Sequence, residues 1–222
     1  MQLLSVSVLV LLTFTLPSPW NRLSSVGYLL LGSVMVKSLT PVRTHASEGA
    51  WPGRLYGAFG LVTLITAVIW YLTPLSLRNS GVPLLGLWAV FSFWSARRLI
   101  GALSQERTIN GAVLRGAFAG YLMLGLSGGL ICCALETTSP GQFSNVELAG
   151  LPSAMEQPVW GLNFIRLNYF AFVTLTTTGY GEVTPLTPIA QILSVAIAMA
   201  GTFYLAVVMG LMISRFTQGN QN

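Results

Sequence analysis

The chain has 222 residues, of which 53% are hydrophobic and 8% charged, and its mean hydropathy is +0.69. A soluble domain carries about 25% charged residues, so this composition excludes a water-exposed globule and a disordered chain, and two cysteines exclude a disulfide-stapled scaffold. The net charge of +5 would point a soluble protein toward nucleic acid; in a polytopic membrane protein it is loop charge that sets orientation, and no nucleic-acid partner is expected.

Charged residues delimit the spans. Residues 1–21 carry no charged side chain, and the apolar part ends at Leu16, where Pro17 and Pro19 stop a helix. With no basic residue before it and no A-x-A-like site after it, this run reads as a retained span rather than a signal peptide. Residues 23–36, between Arg22 and Lys37, form a second, short run that crosses only with bilayer thinning or snorkelling of the flanking bases. Twenty-three uncharged residues separate Arg54 from Arg78, eighteen separate Arg78 from Arg97, twenty separate Arg115 from Glu136, and thirty-two separate Glu182 from Arg215. A hydrocarbon core of ~30 Å needs about 20 helical residues, so six spans are expected. A seventh apolar piece, residues 167–176, is too short to cross and lies between the fifth and sixth spans, the signature of a re-entrant helix.

With the N-terminus inside, Arg22, Arg78 and Arg166 fall outside and the other eight of the eleven basic residues fall inside, in keeping with the positive-inside rule. Glu136, Glu147, Glu156 and Glu182 fall outside, Glu48 and Glu106 inside, and the chain has no Asp. Two domains are expected, four peripheral helices over residues 1–107 and the last two spans with the re-entrant piece between them over residues 108–222.

The segment that carries the chemistry runs from Tyr169 to Pro185. A short helix that stops at a run of threonines presents C-terminal carbonyls with partial negative charge, which stabilises a cation below that end. Gly179 and Gly181 then alternate with Thr178 and Tyr180, and glycine takes positive φ without steric cost. Such alternation turns successive carbonyls to one side of an extended strand. Four strands about one axis give stacked rings able to replace a cation's hydration shell. With one copy of the segment per chain, the physics asks for a homotetramer.

Thr177-Thr178-Gly179-Tyr180-Gly181, preceded by Thr176, resembles the Thr-Val-Gly-Tyr-Gly filter of the potassium-channel superfamily, and the likeness extends over residues 108–217. It implies an all-α membrane protein with six transmembrane helices per subunit, a re-entrant pore helix and filter loop between the fifth and sixth, and a tetrameric pore. The resemblance further implies that carbonyls of Thr177, Thr178, Gly179 and Tyr180, with the Thr177 hydroxyl, coordinate dehydrated potassium ions. Thr176, Gly181, Glu182, Tyr169 and Phe170 would support the filter, the two aromatics bracing the Tyr180 side chain. Gly201 stands where the family places its inner-helix hinge, and Thr187-Pro188 reads as the N-cap and first residue of that helix. Two positions depart from the family: Thr178 replaces valine and Glu182 replaces aspartate. Val173 gives no buried carboxylate pair behind the filter.

Other residues carry less. Arg97 and Arg98 are adjacent at the cytoplasmic edge of the fourth span, where a voltage sensor needs several arginines at every third position; they read as interfacial anchors, and voltage insensitivity is expected. Glu182 is a candidate for an acidic vestibule with Glu136, while Glu147 and Glu156 read as solvated loop residues. Cys132 and Cys133 read as small structural residues, Gly128-Gly129 as a close-packing or kinking pair, and His45 as a loop residue. Residues 105–115 would link the peripheral helices to the pore, and the seven residues after Arg215 leave no room for a regulatory domain, so no soluble regulatory ligand is expected.

The function these features imply is passive potassium permeation through a homotetramer in a lipid bilayer, most simply an inner cell membrane, with an organellar or thylakoid membrane as the alternative. A weakly selective cation channel and a nonconducting regulatory subunit are the competing readings. An enzyme is not expected, because no nucleophile–base pair, acid pair or metal-ligand set falls at membrane depth.

Overall fold

A computed structural model describes residues 2–14, 23–40, 51–72, 81–105, 111–146 and 164–219. They form seven helices: α1 (Gln2–Thr13), α2 (Leu23–Leu39), α3 (Trp51–Leu72), α4 (Gly81–Gln105), α5 (Gly111–Thr138), α6 (Phe164–Leu175) and α7 (Pro188–Gly219). Among the described residues the only β pairing is one antiparallel bridge, Phe143 to Pro185. By length and composition, Gly111–Thr138 and Pro188–Val208 can cross a membrane; α1, α2, most of α3 and α6 are shorter apolar helices. The 12 residues of α6 reach only about 18 Å at 1.5 Å per residue, which fits the expected re-entrant piece.

Hydroxyls are tolerated in these apolar helices because they bond back to their own backbone. Ser7 donates to the Leu3 carbonyl at 2.9 Å, Thr63 to Phe59 at 2.9 Å, Thr137 to Cys133 at 2.6 Å and Ser194 to Ala190 at 2.7 Å. Among the described residues no buried side-chain nitrogen or oxygen lacks a partner, as a bilayer demands.

The chain divides into two compact units. The first comprises Met1–Ile65, Phe91–Met123 and Phe203–Asn222. Within it α1 lies on α2, with the Phe14 and Tyr28 rings 6.4 Å apart. Tyr56 of α3 stacks on Phe91 of α4 at 5.4 Å, meets Trp94 edge-on at 5.7 Å, and shares a 2.8 Å hydrogen bond with Ser95. Arg98 departs from the interfacial role expected of it. Successive helical residues lie about 100° apart, so Arg97 is exposed while Arg98 is buried. Its guanidinium sits 4.9 Å from the Tyr56 ring centroid, and its Nε donates to the Leu39 carbonyl at 3.2 Å. In the same unit Tyr204 of α7 donates to the Ala117 carbonyl of α5 at 2.6 Å.

The second unit comprises Thr66–Val90 and Leu124–Thr202 and contains the candidate site. Here α6 is seated against α5: Phe172 covers Gly125, and Asn168, fully buried, lies against Gly129 while donating to the Phe164 carbonyl at 2.8 Å. The second glycine of the Gly128-Gly129 pair is thus a close-approach position on a continuous helix. Cys132 and Cys133 are buried and free, consistent with a packing role. Glu147, Glu156, His45 and residues 106–110 of the linker lie outside the described residues.

Candidate functional site: the segment after α6

The site is built from the C-terminal end of α6 and the extended stretch that follows. The helix stops at Leu175 by a double backbone cap: the Thr177 N–H donates to the Thr174 carbonyl at 3.0 Å and the Thr178 N–H to the Val173 carbonyl at 2.9 Å. That pairing is a Schellman motif, which needs a left-handed residue at the position Thr177 occupies. Thr177 indeed has φ +58°. Glycine usually fills such a position, and a left-handed conformation costs a β-branched residue about 1–2 kcal/mol. The chain therefore holds local strain at the first residue of the stretch.

Gly179 follows at φ +61° and Gly181 at φ +91°, so positive φ recurs at every second residue: 177, 179 and 181. In an ordinary strand successive carbonyls alternate sides; alternating the sign of φ brings them to one side. Among the described residues, no donor reaches the carbonyls of residues 177–181. Backbone carbonyls are obligatory acceptors, so this row is complete only with water or a cation.

Side chains around the row are tied down. The Thr178 hydroxyl is 2.9 Å from that of Thr176, which also bonds the Phe172 carbonyl at 2.8 Å. The polar atom that distinguishes Thr178 from valine is thus spent on its neighbour. Glu182 accepts a short hydrogen bond from the Tyr169 hydroxyl. This bond, the Glu182 backbone N–H and the nearby Arg166 together hold the Glu182 carboxyl below its ordinary value, while the same bond to a carboxylate pushes Tyr169 up to about 12. Phe170 is buried 5.1 Å from the Phe143 ring, and Tyr180 is left 72% exposed by its own chain. Within the single chain Tyr169 bonds Glu182 and Phe170 packs on Phe143. A cavity of about 230 Å³ opens beside the row, lined by Tyr169, Phe170, Val173, Thr174, Gly179 and Gly181 among others.

Gly201 of α7 lies directly against the Leu175 carbonyl, where any Cβ would overlap the oxygen. The family resemblance implies a hinge at Gly201; α7 runs unbroken through it, and the structure supplies a second reason for glycine there. At the start of α7, Thr187 caps as expected, its Oγ1 accepting the Ala190 N–H at 3.3 Å.

Sequence reasoning missed the contribution of residues 141–146. Glu136, a vestibule candidate by sequence, is buried instead: its carboxylate accepts the N–H groups of Gly141, Gln142 and Phe143 at 2.7, 2.9 and 3.1 Å. Nothing in a linear pattern announces that, since the partners are backbone groups of a loop that folds back. The loop then runs along the segment beyond the carbonyl row, with Ser144 N–H on the Thr184 carbonyl at 2.9 Å and Leu186 N–H on the Gln142 carbonyl at 2.8 Å.

Residues 129–218 match the model of an ion-channel family, a segment that begins within α5 and includes α6, the carbonyl row and nearly all of α7. Searches of curated proteins and of solved structures gave no match. The part of the chain that holds the site is therefore similar to ion channels, and the function that similarity supports is ion conduction through a membrane.

Proposed function

We propose that the protein is a potassium-selective channel, a homotetramer in which four copies of the row at residues 177–181 surround one axis. The observation that carries this reading is the alternation of positive φ at Thr177, Gly179 and Gly181, with carbonyls that no donor among the described residues reaches. Four such rows offer a cation rings of oxygen in place of its water shell. In this reading Thr177, Thr178, Gly179 and Tyr180 coordinate potassium through backbone oxygens, Thr176, Gly181, Glu182, Tyr169 and Phe170 support them, and α7 bends at Gly201. Six spans then cross the bilayer, the first four of them peripheral.

The apolar face of α7 favours assembly. Ile189, Ile192, Val195, Met199 and Phe203 are exposed in the single chain, and the apolar stretch of α7 is far less buried than that of α5. A helix this apolar and this bare requires lipid or other copies around it. Tyr180 has the same need, since its ring is left exposed by the single chain.

Flux into vesicles tests the reading. Purified protein reconstituted into potassium-loaded liposomes should dissipate a potassium gradient in the presence of a proton carrier, and the same liposomes loaded with sodium should not. Equal flux of both ions would contradict selectivity, and a chain that migrates as a monomer while conducting would contradict the tetramer.

A further inference from the structure

One short segment, residues 141–145, is tied to the end of α5, to α6, to the start of α7 and to the stretch just beyond the carbonyl row. At its start, Glu136 fixes the N–H groups of residues 141–143 to the end of α5. In its middle, Phe143 packs on Phe170 of α6, and Gln142 accepts from Thr187 at the start of α7. Ser144 clamps Thr184 three times: its N–H donates to the Thr184 carbonyl at 2.9 Å, its Oγ accepts the Thr184 N–H at 2.9 Å, and the two hydroxyls lie 2.7 Å apart.

At its end stands Asn145. Its backbone is left-handed, φ +54°, a conformation Asn tolerates better than most residues. Its carbonyl accepts from Arg166 of α6, and its Nδ2 donates to the Glu182 carbonyl at 2.9 Å. Glu182 is the residue immediately after the row. Its carboxylate is bound to Tyr169 and its carbonyl to Asn145, so both its polar ends are held. The carbonyls without a donor therefore stop at Gly181. The carbonyl that Asn145 holds belongs to the peptide joining Glu182 to Val183, so the Gly181–Glu182 peptide just before it, which glycine restrains weakly, gains a fixed outer neighbour.

We propose that Asn145 is a positioning residue of the filter: by holding the Glu182 carbonyl it fixes where the row of ion-facing carbonyls ends and keeps the outermost peptide from turning. The proposal rests on the channel reading above. Asn145 touches no ion; it acts through Glu182. Loss of the bond shortens the time the outer end of the filter remains conducting and leaves the rate of ion passage through a conducting filter unchanged. A cation in the outer site competes with the turn, so raising outer potassium offsets the loss.

The test uses the full-length protein in planar bilayers, with Asn145→Gly, which keeps the left-handed backbone, and Asn145→Asp, which keeps the shape and removes the donor. Each variant is first shown to assemble like the parent in detergent. Mean burst duration should fall roughly threefold to tenfold, the equivalent of one hydrogen bond, with unitary conductance unchanged. Raising outer potassium should lengthen the bursts again. Parent-like bursts in both variants would overturn the proposal, as would lower unitary conductance with unaltered bursts or shortened bursts that outer potassium does not relieve. A parent protein without potassium current would overturn the channel reading itself, and with it this proposal.

Discussion

Gly201 and Leu175 meet backbone to backbone: the glycine of α7 leaves no room for a side chain beneath the last carbonyl of α6. The end of the short helix, and with it the Schellman cap that starts the carbonyl row, therefore rests on a particular point of α7. Gly201→Ala should push α6 away from α7 and destabilise the assembled protein by about 1–3 kcal/mol, the usual effect of overpacking. Thermal unfolding of the detergent-solubilised assembly measures it. Gly210→Ala, in the same helix with no neighbouring atom within 4 Å, is the control and should be neutral or stabilising. An unchanged unfolding midpoint in Gly201→Ala would leave the hinge as the sole reason for glycine.

Thr178→Val removes the hydroxyl pair with Thr176 and leaves every backbone oxygen in place. The exposed bond is one neutral hydrogen bond, about 0.5–1.5 kcal/mol. The potassium-to-sodium permeability ratio should therefore stay within about twofold of the parent if, as proposed, the ligands are carbonyls. Bi-ionic reversal potentials of the two proteins compare them. A large gain of selectivity in the valine variant would show that the hydroxyl intrudes on the ion path.

The Tyr169–Glu182 bond sets a pH window. The Glu182 carboxyl is held below its ordinary value of 4.5, so its contribution is complete above that value and is lost as outer pH falls through the lowered one. Tyr169 is raised from 10.0 to about 12, so its contribution is complete below 10.0 and is lost as pH rises toward about 12. Current through the protein should be flat across the neutral range and fail at both extremes. Glu182→Gln, whose amide oxygen still accepts from Tyr169 but does not titrate, should remove the acid limb. Current that declines between pH 5 and pH 8 would point to a different titrating group.

Glu136→Gln replaces a buried carboxylate that accepts three backbone N–H groups by an amide that accepts less well and brings two donors of its own. Charge-assisted bonds of this kind are worth about 1.5–3 kcal/mol each. The variant should lower the unfolding midpoint of the assembly and make residues 141–146 accessible to protease. Stability equal to the parent would mean that the loop is held by Ser144 and Phe143 alone.

Much of the site is legible in the sequence because it is local. The apolar stretch 167–176 marks α6, found at Phe164–Leu175; Thr187-Pro188 marks the start of α7; Gly179 and Gly181 announce the positive φ that both adopt. Thr177 escapes notice for a physical reason. Its left-handed backbone is imposed by the helix cap that Val173 and Thr174 make, against the preference of a β-branched residue. Glu136 and Asn145 escape because their partners are backbone atoms with no pattern of their own, in a loop that folds back for Glu136 and 37 residues away for Asn145. Arg98 is a different case: helical phase separates it from Arg97, but only the packing of Tyr56 and Ser95 decides which of the two turns inward.

The central claim is that the row at residues 177–181 conducts potassium and rejects sodium. The most direct measurement is current from purified protein in a planar bilayer, with potassium on one side and sodium on the other. The account predicts reversal close to the potassium equilibrium potential. Robust current reversing near zero would contradict it.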